Sequence, residues 1–357
     1  MMNELYPWQN ALWQRWIELR TRQPHALLLK GAQGIGKLDF AMNIARSLLC
    51  EKPLADSLAC QDCPSCHWFQ QETHPDFRLI QPDALSASDD EGEEKEEGKK
   101  PGKKPAKRIL IEQIRTLSDF FGLSSHQGGY RVVLIHPAET MNTNAANALL
   151  KMLEEPSERM LLILVSHKPQ QLPATILSRC LVLAAPMPTP EASMAWLQQQ
   201  KVNNPAALLA QAGFAPLQAA RLVQEEEATA EREQFLQAIK QPAKLDVYAL
   251  AEKLQRTEPA LVVHWLQQWC YDLAAAKLAG SVRYNSELTD AIKNVADKID
   301  AHGLLRYQKE LITARREALH PLNPRLLFES LLLSYTQMMR SAPIPSPASG
   351  RGLGRGA

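Results

Sequence analysis

One stretch, HALLLKGAQGIGKL at residues 25–38, limits the fold more than any other. A short apolar run ends at Gly31, Gly34 and Gly36, and Leu38, Ala41, Met42, Ala45 and Leu48 then recur at helical spacing. The pattern predicts strand, loop and helix, the first unit of an α/β domain. Glycines in such a loop let backbone N–H groups turn inward, and the start of the helix adds its dipole. Lys37 stands where an amine reaches the β and γ phosphates of a nucleotide. The segment therefore has the form of a phosphate-binding P-loop.

Two parts of a hydrolytic site are missing. The pattern calls for Ser or Thr after the lysine, because that hydroxyl ligates Mg²⁺. This chain has Leu38. Hydrolysis also needs an acid at the end of a neighbouring strand. The strand RVVLI is followed by His136 and Pro137, neither of which carries a carboxylate. Glu139 lies further on, past the proline, where the sequence does not fix its placement. The loop reads either as a retained structural turn or as a weak nucleotide site, and this chain is not expected to use ATP or Mg²⁺.

Further apolar runs at Phe77–Ile80, Arg131–Ile135, 161–165 and 181–183 are nearly continuous rather than alternating. That is the signature of parallel strands covered on both faces. A helical pattern at 144–153 lies between two of them. The α/β domain is expected over residues 1–185. Residues 84–108 interrupt it, acidic from Asp89 to Glu97 and basic from Lys99 to Arg108. They cannot bury enough surface to offset ordering entropy, so a disordered charged insertion is expected. After Pro186, Pro188 and Pro190 the pattern turns helical. A small helical domain is expected at 186–228, a larger helical domain at 229–340, and a low-complexity tail at 341–357.

Four of the six cysteines fall close together, Cys50, Cys60, Cys63 and Cys66, spaced C-x9-C-x2-C-x2-C. Two residues between thiolates let one short turn aim both sulfurs at a common metal. Tetrahedral Zn²⁺ in a closed, structural site is the expected occupant, making 50–66 a zinc module. His67 adjoins the cluster, but four sulfurs suffice. This clustering suits a reducing cytosol better than a disulfide framework.

The 357 residues are 45% hydrophobic, enough for two or three domains, and the formal net charge is +1. No broad electrostatic attraction to nucleic acid follows from that balance. The opening residues lack a long apolar run, so no signal peptide is expected, and no stretch is long enough to span a membrane.

Several strings together carry a resemblance: YPWQ (6–9), HALLLKGAQGIGK (25–37), the four cysteines, AANALLKMLEEP (145–156), LLILVSHKPQQLPATILSRC (161–180) and the helical C-terminal region. They resemble the δ′ branch of the AAA+ clamp-loader subunits of bacterial DNA polymerase III, and the likeness covers nearly the whole chain outside 84–108 and the tail. The resemblance implies an AAA+ α/β domain, a small helical lid and a helical collar domain. It also implies partners: γ/τ ATPase subunits and a δ subunit in a hetero-pentamer that loads the sliding clamp onto primed DNA in the cytoplasm, near the nucleoid. The resemblance also implies a chain that does not itself hydrolyse ATP, within a DNA-directed DNA polymerase holoenzyme. In this family the SRC motif supplies an arginine finger in trans, and its arginine matches Arg179. Glu154 and Glu155 by themselves read as a solvated helix end, Asn147 and Lys151 as one helix face, and Ser166 as a strand-end cap.

Two other functions compete. One is an active AAA+ ATPase with a divergent metal site, opposed by Leu38 and by His136–Pro137. The other is a zinc module that binds nucleic acid directly. Against it, Lys52 is the lone base between Cys50 and Cys66, too few for a phosphate-reading surface.

Overall fold

The computed structural model describes residues 4–86, 106–122, 129–318, 320 and 322–340. Every apolar run read as a strand forms one. β1 (Ala26–Lys30), β2 (Phe77–Ile80), β3 (Arg131–Ile135), β4 (Met160–Ser166) and β5 (Leu181–Ala184) make a single sheet. Its order is β2-β3-β4-β1-β5, and each neighbouring pair is parallel. The inner strands β1, β3 and β4 are buried almost throughout, whereas the outer β2 and β5 are only partly covered. Parallel strands need crossover connections, and these place helices on both faces.

Alternate side chains of the inner strands divide between two apolar layers. Leu27, Leu29, Val132, Leu134, Leu161 and Ile163 pack with Trp13, Trp16, Phe40, Ile44 and Phe69. Those partners come from α1 (Asn10–Arg20), α2 (Lys37–Leu49) and α3 (Pro64–Gln70). A short α4 (Asp83–Ser86) follows β2. On the opposite face Leu28, Val133, Ile135, Leu162 and Leu164 pack with Ile114, Leu117, Leu149, Leu153 and Ile176. These belong to α5 (Ile111–Gly122), α6 (Thr143–Glu154) and α7 (Ala174–Leu177).

Most of the charged insertion expected at 84–108 falls on residues 87–105, outside the described residues, as does the tail expected at 341–357. The described ends differ from an irregular loop. Ala84 to Ser86 close α4, and the Ala84 amide donates to the Ala106 carbonyl at 3.1 Å. Ile109 then bridges to Met141.

The remaining elements are helical: α8 (Pro190–Gln199), α9 (Pro205–Gln211), α10 (Pro216–Gln224), α11 (Glu226–Ile239), α12 (Val247–Leu254), α13 (Pro259–Ala279), α14 (Thr289–Ala296), α15 (Ala301–Glu317) and α16 (Pro324–Arg340). Prolines 190, 205, 216, 259 and 324 each open a helix. At that position the missing N–H has no intrahelical acceptor to lose, and the fixed φ suits the helix. Among the described residues no helix is long and apolar enough to cross a membrane.

The chain divides into two compact units, one of residues 4–196 and 215–218, the other of 197–214 and 219–340. The second has its own core, in which α12 packs on α16 and α13 packs on α14 and α15. At its centre Trp269 Nε1 donates to the Tyr335 hydroxyl at 3.1 Å, and that hydroxyl donates to the Ile239 carbonyl at 2.9 Å. Both side chains are fully buried. Removing the hydroxyl strands a donor and an acceptor in an apolar interior, so Tyr335→Phe is expected to destabilise this unit by about 1–3 kcal/mol. Denaturant unfolding followed by Trp fluorescence measures it; an unchanged midpoint would show that the two groups need no partner.

Candidate functional site

The glycine loop joins β1 to α2 at the carboxyl ends of the strands, where ligands of open α/β sheets bind. Gly36 caps α2 with φ +81, and Gly34 has φ +77, left-handed values that suit glycine. The loop is braced on its outer side by the chain itself. A Cβ on Gly36 would lie 2.5 Å from the Tyr6 ring, and one on Gly31 2.7 Å from the Ala185 carbonyl. Trp8 Nε1 donates to the Ile35 carbonyl at 3.0 Å, Gln9 Nε2 to that of Gly36 at 2.7 Å, and the Leu217 amide to that of Gly34 at 3.0 Å. Tyr6 and Trp8 stack with centroids 5.0 Å apart, and Trp196 meets both edge-on. The YPWQ string thus has a job that its letters did not announce: it holds the loop carbonyls.

Lys37 is buried, and its ammonium donates to the carbonyls of Gly31, at 2.9 Å, and Ala32. Burial lowers its pKa to about 8, against the opposing pull of the Glu139 carboxylate. Leu38, at the position that calls for a hydroxyl, packs against the apolar layer of α1 and α2. His136, at the position that calls for an acid, pairs its Nδ1 with Gln81 Nε2 at 3.2 Å and meets His167 edge-on at 5.2 Å.

Glu139 is where the structure adds most. A 3-10 turn at Ala138–Thr140 brings its Oε1 to accept from the His167 amide at 3.0 Å, within the field of Lys37. His167 is held neutral, its pKa lowered to about 4 by burial and by the charges of Lys37 and Lys168. Ser166 is fully buried, yet its hydroxyl makes no hydrogen bond, so the cap role expected for it is not observed. The Ser166 backbone carbonyl instead accepts from the Gly31 amide at 3.3 Å.

Arg179 lies between α7 and β5, two residues before the strand begins. Its side chain is 36% exposed and forms an ion pair with Glu154 at 2.9 Å; Nη1 also donates to the Thr175 carbonyl at 3.0 Å. The neighbouring Cys180 thiol is pushed up to about 11 by burial. On α6, Asn147, Lys151 and Glu154 form one exposed stripe at i, i+4 and i+7.

The cysteines form a second site, built at the end of α2. Cys50 ends that helix and Cys63 caps α3, whose first turn carries Cys66. All four Sγ atoms lie within 4.8 Å of one another, with separations of 3.5 Å (Cys50–Cys60), 3.9 Å (Cys50–Cys63) and 4.0 Å (Cys60–Cys66). A tetrahedron of sulfurs about 2.3 Å from zinc has edges of about 3.8 Å. The cysteines are not disulfide-bonded, and the donor set fits a closed zinc site. Backbone amides support the charge: the Cys60 amide donates to Cys50 Sγ at 3.3 Å, and the amide of Asp62 lowers the Cys60 thiol to about 7. Burial pushes Cys50 and Cys66 upward, a cost that a cation would offset. Arg46 lies over the Phe69 ring at 4.9 Å and feels the Cys66 sulfur. His67 is exposed and outside the four-sulfur group.

A support chain ties α3 to the sheet. The Asp76 amide donates to His74 Nδ1 at 3.1 Å, which leaves the proton on Nε2, 2.8 Å from Ser65 Oγ; that hydroxyl donates to the Leu49 carbonyl at 2.5 Å. One equivalent of zinc per chain is expected by elemental analysis, and Cys60→Ser should lower it while leaving the melting of the sheet nearly unchanged. Thiolate–zinc binding is worth about 10–16 kcal/mol in small domains, so the loss should loosen residues 50–66 locally. Protein free of zinc with four titratable thiols would refute the assignment.

Comparison with known proteins agrees with this architecture. A family described as "DNA polymerase III, delta subunit" matches residues 9–188, and one described as "DNA polymerase III, delta subunit, C terminal" matches 226–337. DNA polymerase III subunit delta′ of Pseudomonas aeruginosa is 35% identical over 347 residues, covering 94% of this chain and 99% of the relative. Those of Yersinia pestis (29%, covering 92% and 95%) and Bacillus subtilis (36%, covering 57% and 54%) are similar as well. With a parallel sheet built on a glycine loop, a four-cysteine module and near full-length similarity, the chain belongs to the DNA polymerase III delta′ subunit family.

Proposed function

We propose that this chain is the non-hydrolysing δ′ member of a clamp loader and completes a neighbouring subunit's ATP site with Arg179. On this reading residues 1–185 are the AAA+ domain, 186–228 the lid and 229–340 the collar. The complex is a hetero-pentamer with γ/τ and δ subunits that loads the sliding clamp onto primed DNA. The zinc held by Cys50, Cys60, Cys63 and Cys66 is structural.

One observation carries the non-hydrolysing part: both metal-side positions of the loop hold side chains committed elsewhere. Leu38 packs into the core and offers no oxygen, and His136 pairs with Gln81. The Glu139 carboxylate, which acts on Lys37, accepts from the His167 amide. Gly31, Gly34, Gly36 and Lys37 keep the form of a nucleotide loop, but Lys37 is held by the loop's own carbonyls. Arg179 supports the trans role. Its guanidinium is half-exposed at the end of α7, and a guanidinium set beside a transferring phosphoryl contributes on the order of 10³–10⁵ in rate.

The isolated chain should therefore show no ATP turnover above background, with or without primed DNA; turnover abolished by Lys37→Ala would overturn the reading. Within the assembled complex, Arg179→Ala should leave folding and assembly intact, because exposed ion pairs contribute at most about 1 kcal/mol. Steady-state hydrolysis should fall only in part, and clamp loading by more. Arg179→Lys should not restore either, since an ammonium lacks the planar fork that spans two phosphate oxygens. Unchanged hydrolysis and loading by an intact Arg179→Ala complex would leave this chain a passive scaffold.

A further inference from the structure

The SRC arginine has a carboxylate partner that its role in trans does not explain. Glu154 is the last residue of α6, and Glu155 follows as its C-cap. The carboxyl end of a helix carries partial negative charge, so acids there are unfavourable. Nothing in helix stability calls for an acid at 154. Its side chain is 52% exposed, so core packing does not call for one either. What Glu154 contacts is Arg179, at 2.9 Å from Oε1 to Nη2.

The pair is set by the fold and not by chance encounter of two long side chains. Leu153, beside Glu154, and Ile176, three residues before Arg179, are buried in the same apolar layer. That packing fixes the end of α6 against the end of α7. The arginine is then held at two points: Nη2 by Glu154, and Nη1 by the Thr175 carbonyl at 3.0 Å, with the Ser178 hydroxyl at 3.4 Å. A guanidinium has five N–H donors in one rigid plane. Fixing two nitrogens from the same chain fixes that plane, and the side chain stays 36% exposed.

We propose that Glu154 is a positioning residue: it orients the Arg179 guanidinium before a neighbouring subunit's nucleotide arrives. The inference rests on the arginine-finger reading. A free arginine side chain must lose rotamer freedom to reach a phosphoryl oxygen, and a pre-oriented one has lost it already. Because the pair is solvent-exposed, its attraction is weak, and Arg179 remains free to adjust as the transition state forms. Glu154 acts through Arg179 alone and does not touch the phosphates.

The experiment uses the reconstituted complex with primed DNA and clamp, and follows pre-steady-state phosphate release at saturating ATP. Comparing wild type with Arg179→Ala defines the fraction of the burst that depends on the finger. Glu154→Ala should slow that same fraction by about 2- to 5-fold, the scale on which one exposed ion pair can bias an orientation. The KM for ATP should not move. Glu154→Gln keeps an acceptor of the same shape and should restore most of the rate. In the Arg179→Ala background Glu154→Ala should have no further effect, and thermal melting of each chain should match the wild type. A normal burst with Glu154→Ala, beside a defective Arg179→Ala, would overturn the positioning role and leave the finger standing. A Glu154→Ala defect that persists without Arg179 would also overturn it. A normal burst with Arg179→Ala would remove the finger and this inference together.

Discussion

The burial of β1, β3 and β4 on both faces governs the first unit of this protein. Inner parallel strands offer polar backbone only to one another, so their side chains must be apolar on both faces and both faces must be roofed by helices. Parallel pairing then brings the carboxyl ends of all the strands to one edge. The glycine loop after β1, the His136–Glu139 turn after β3 and the Ser166–His167 step after β4 belong to that edge. The approach of Glu139 and His167 to Lys37 is a consequence of strand order, not of sequence proximity.

That neighbourhood shows a loop stabilised from within. Lys37 is satisfied by carbonyls of its own turn, and the same turn's other carbonyls are bound by Trp8, Gln9 and Leu217. The zinc module follows a comparable logic at the far end of α2. Cys50 terminates the helix, and the Ser65–His74 chain ties α3 back to the start of β2. Both ends of one helix are therefore anchored by hydrogen bonds from other parts of the chain.

Much of this was legible in the sequence because it is local. Near-continuous apolar runs located every strand, and the spacing of four cysteines located a metal site whose sulfurs converge within 4.8 Å. Leu38 revealed a missing hydroxyl by its identity alone. Glu139 was not legible, because its reach depends on how a turn after Pro137 folds back toward β4. Glu154 and Glu155 read as a solvated helix end. Exposure bears that out, but the partner of Glu154 lies 25 positions away and becomes apparent only once α6 and α7 are packed. At the edge of the expected insertion residues 84–86 are helical, and the Ala84 amide donates to the Ala106 carbonyl from its far side.

That last hydrogen bond has an evolutionary reading. Ala84 and Ala106 meet at 3.1 Å, so the chain departs from the α/β unit and rejoins it at nearly one point. The number of residues between such a pair is uncoupled from the geometry of the sheet, because loop-closure entropy grows only logarithmically with length. Here the distance from β2 to α5 is set by two alanine backbones: any residue could supply the Ala106 carbonyl, and any but proline the Ala84 amide. The segment between them is open to lengthening, shortening or replacement of its charge without rewriting any residue of the core.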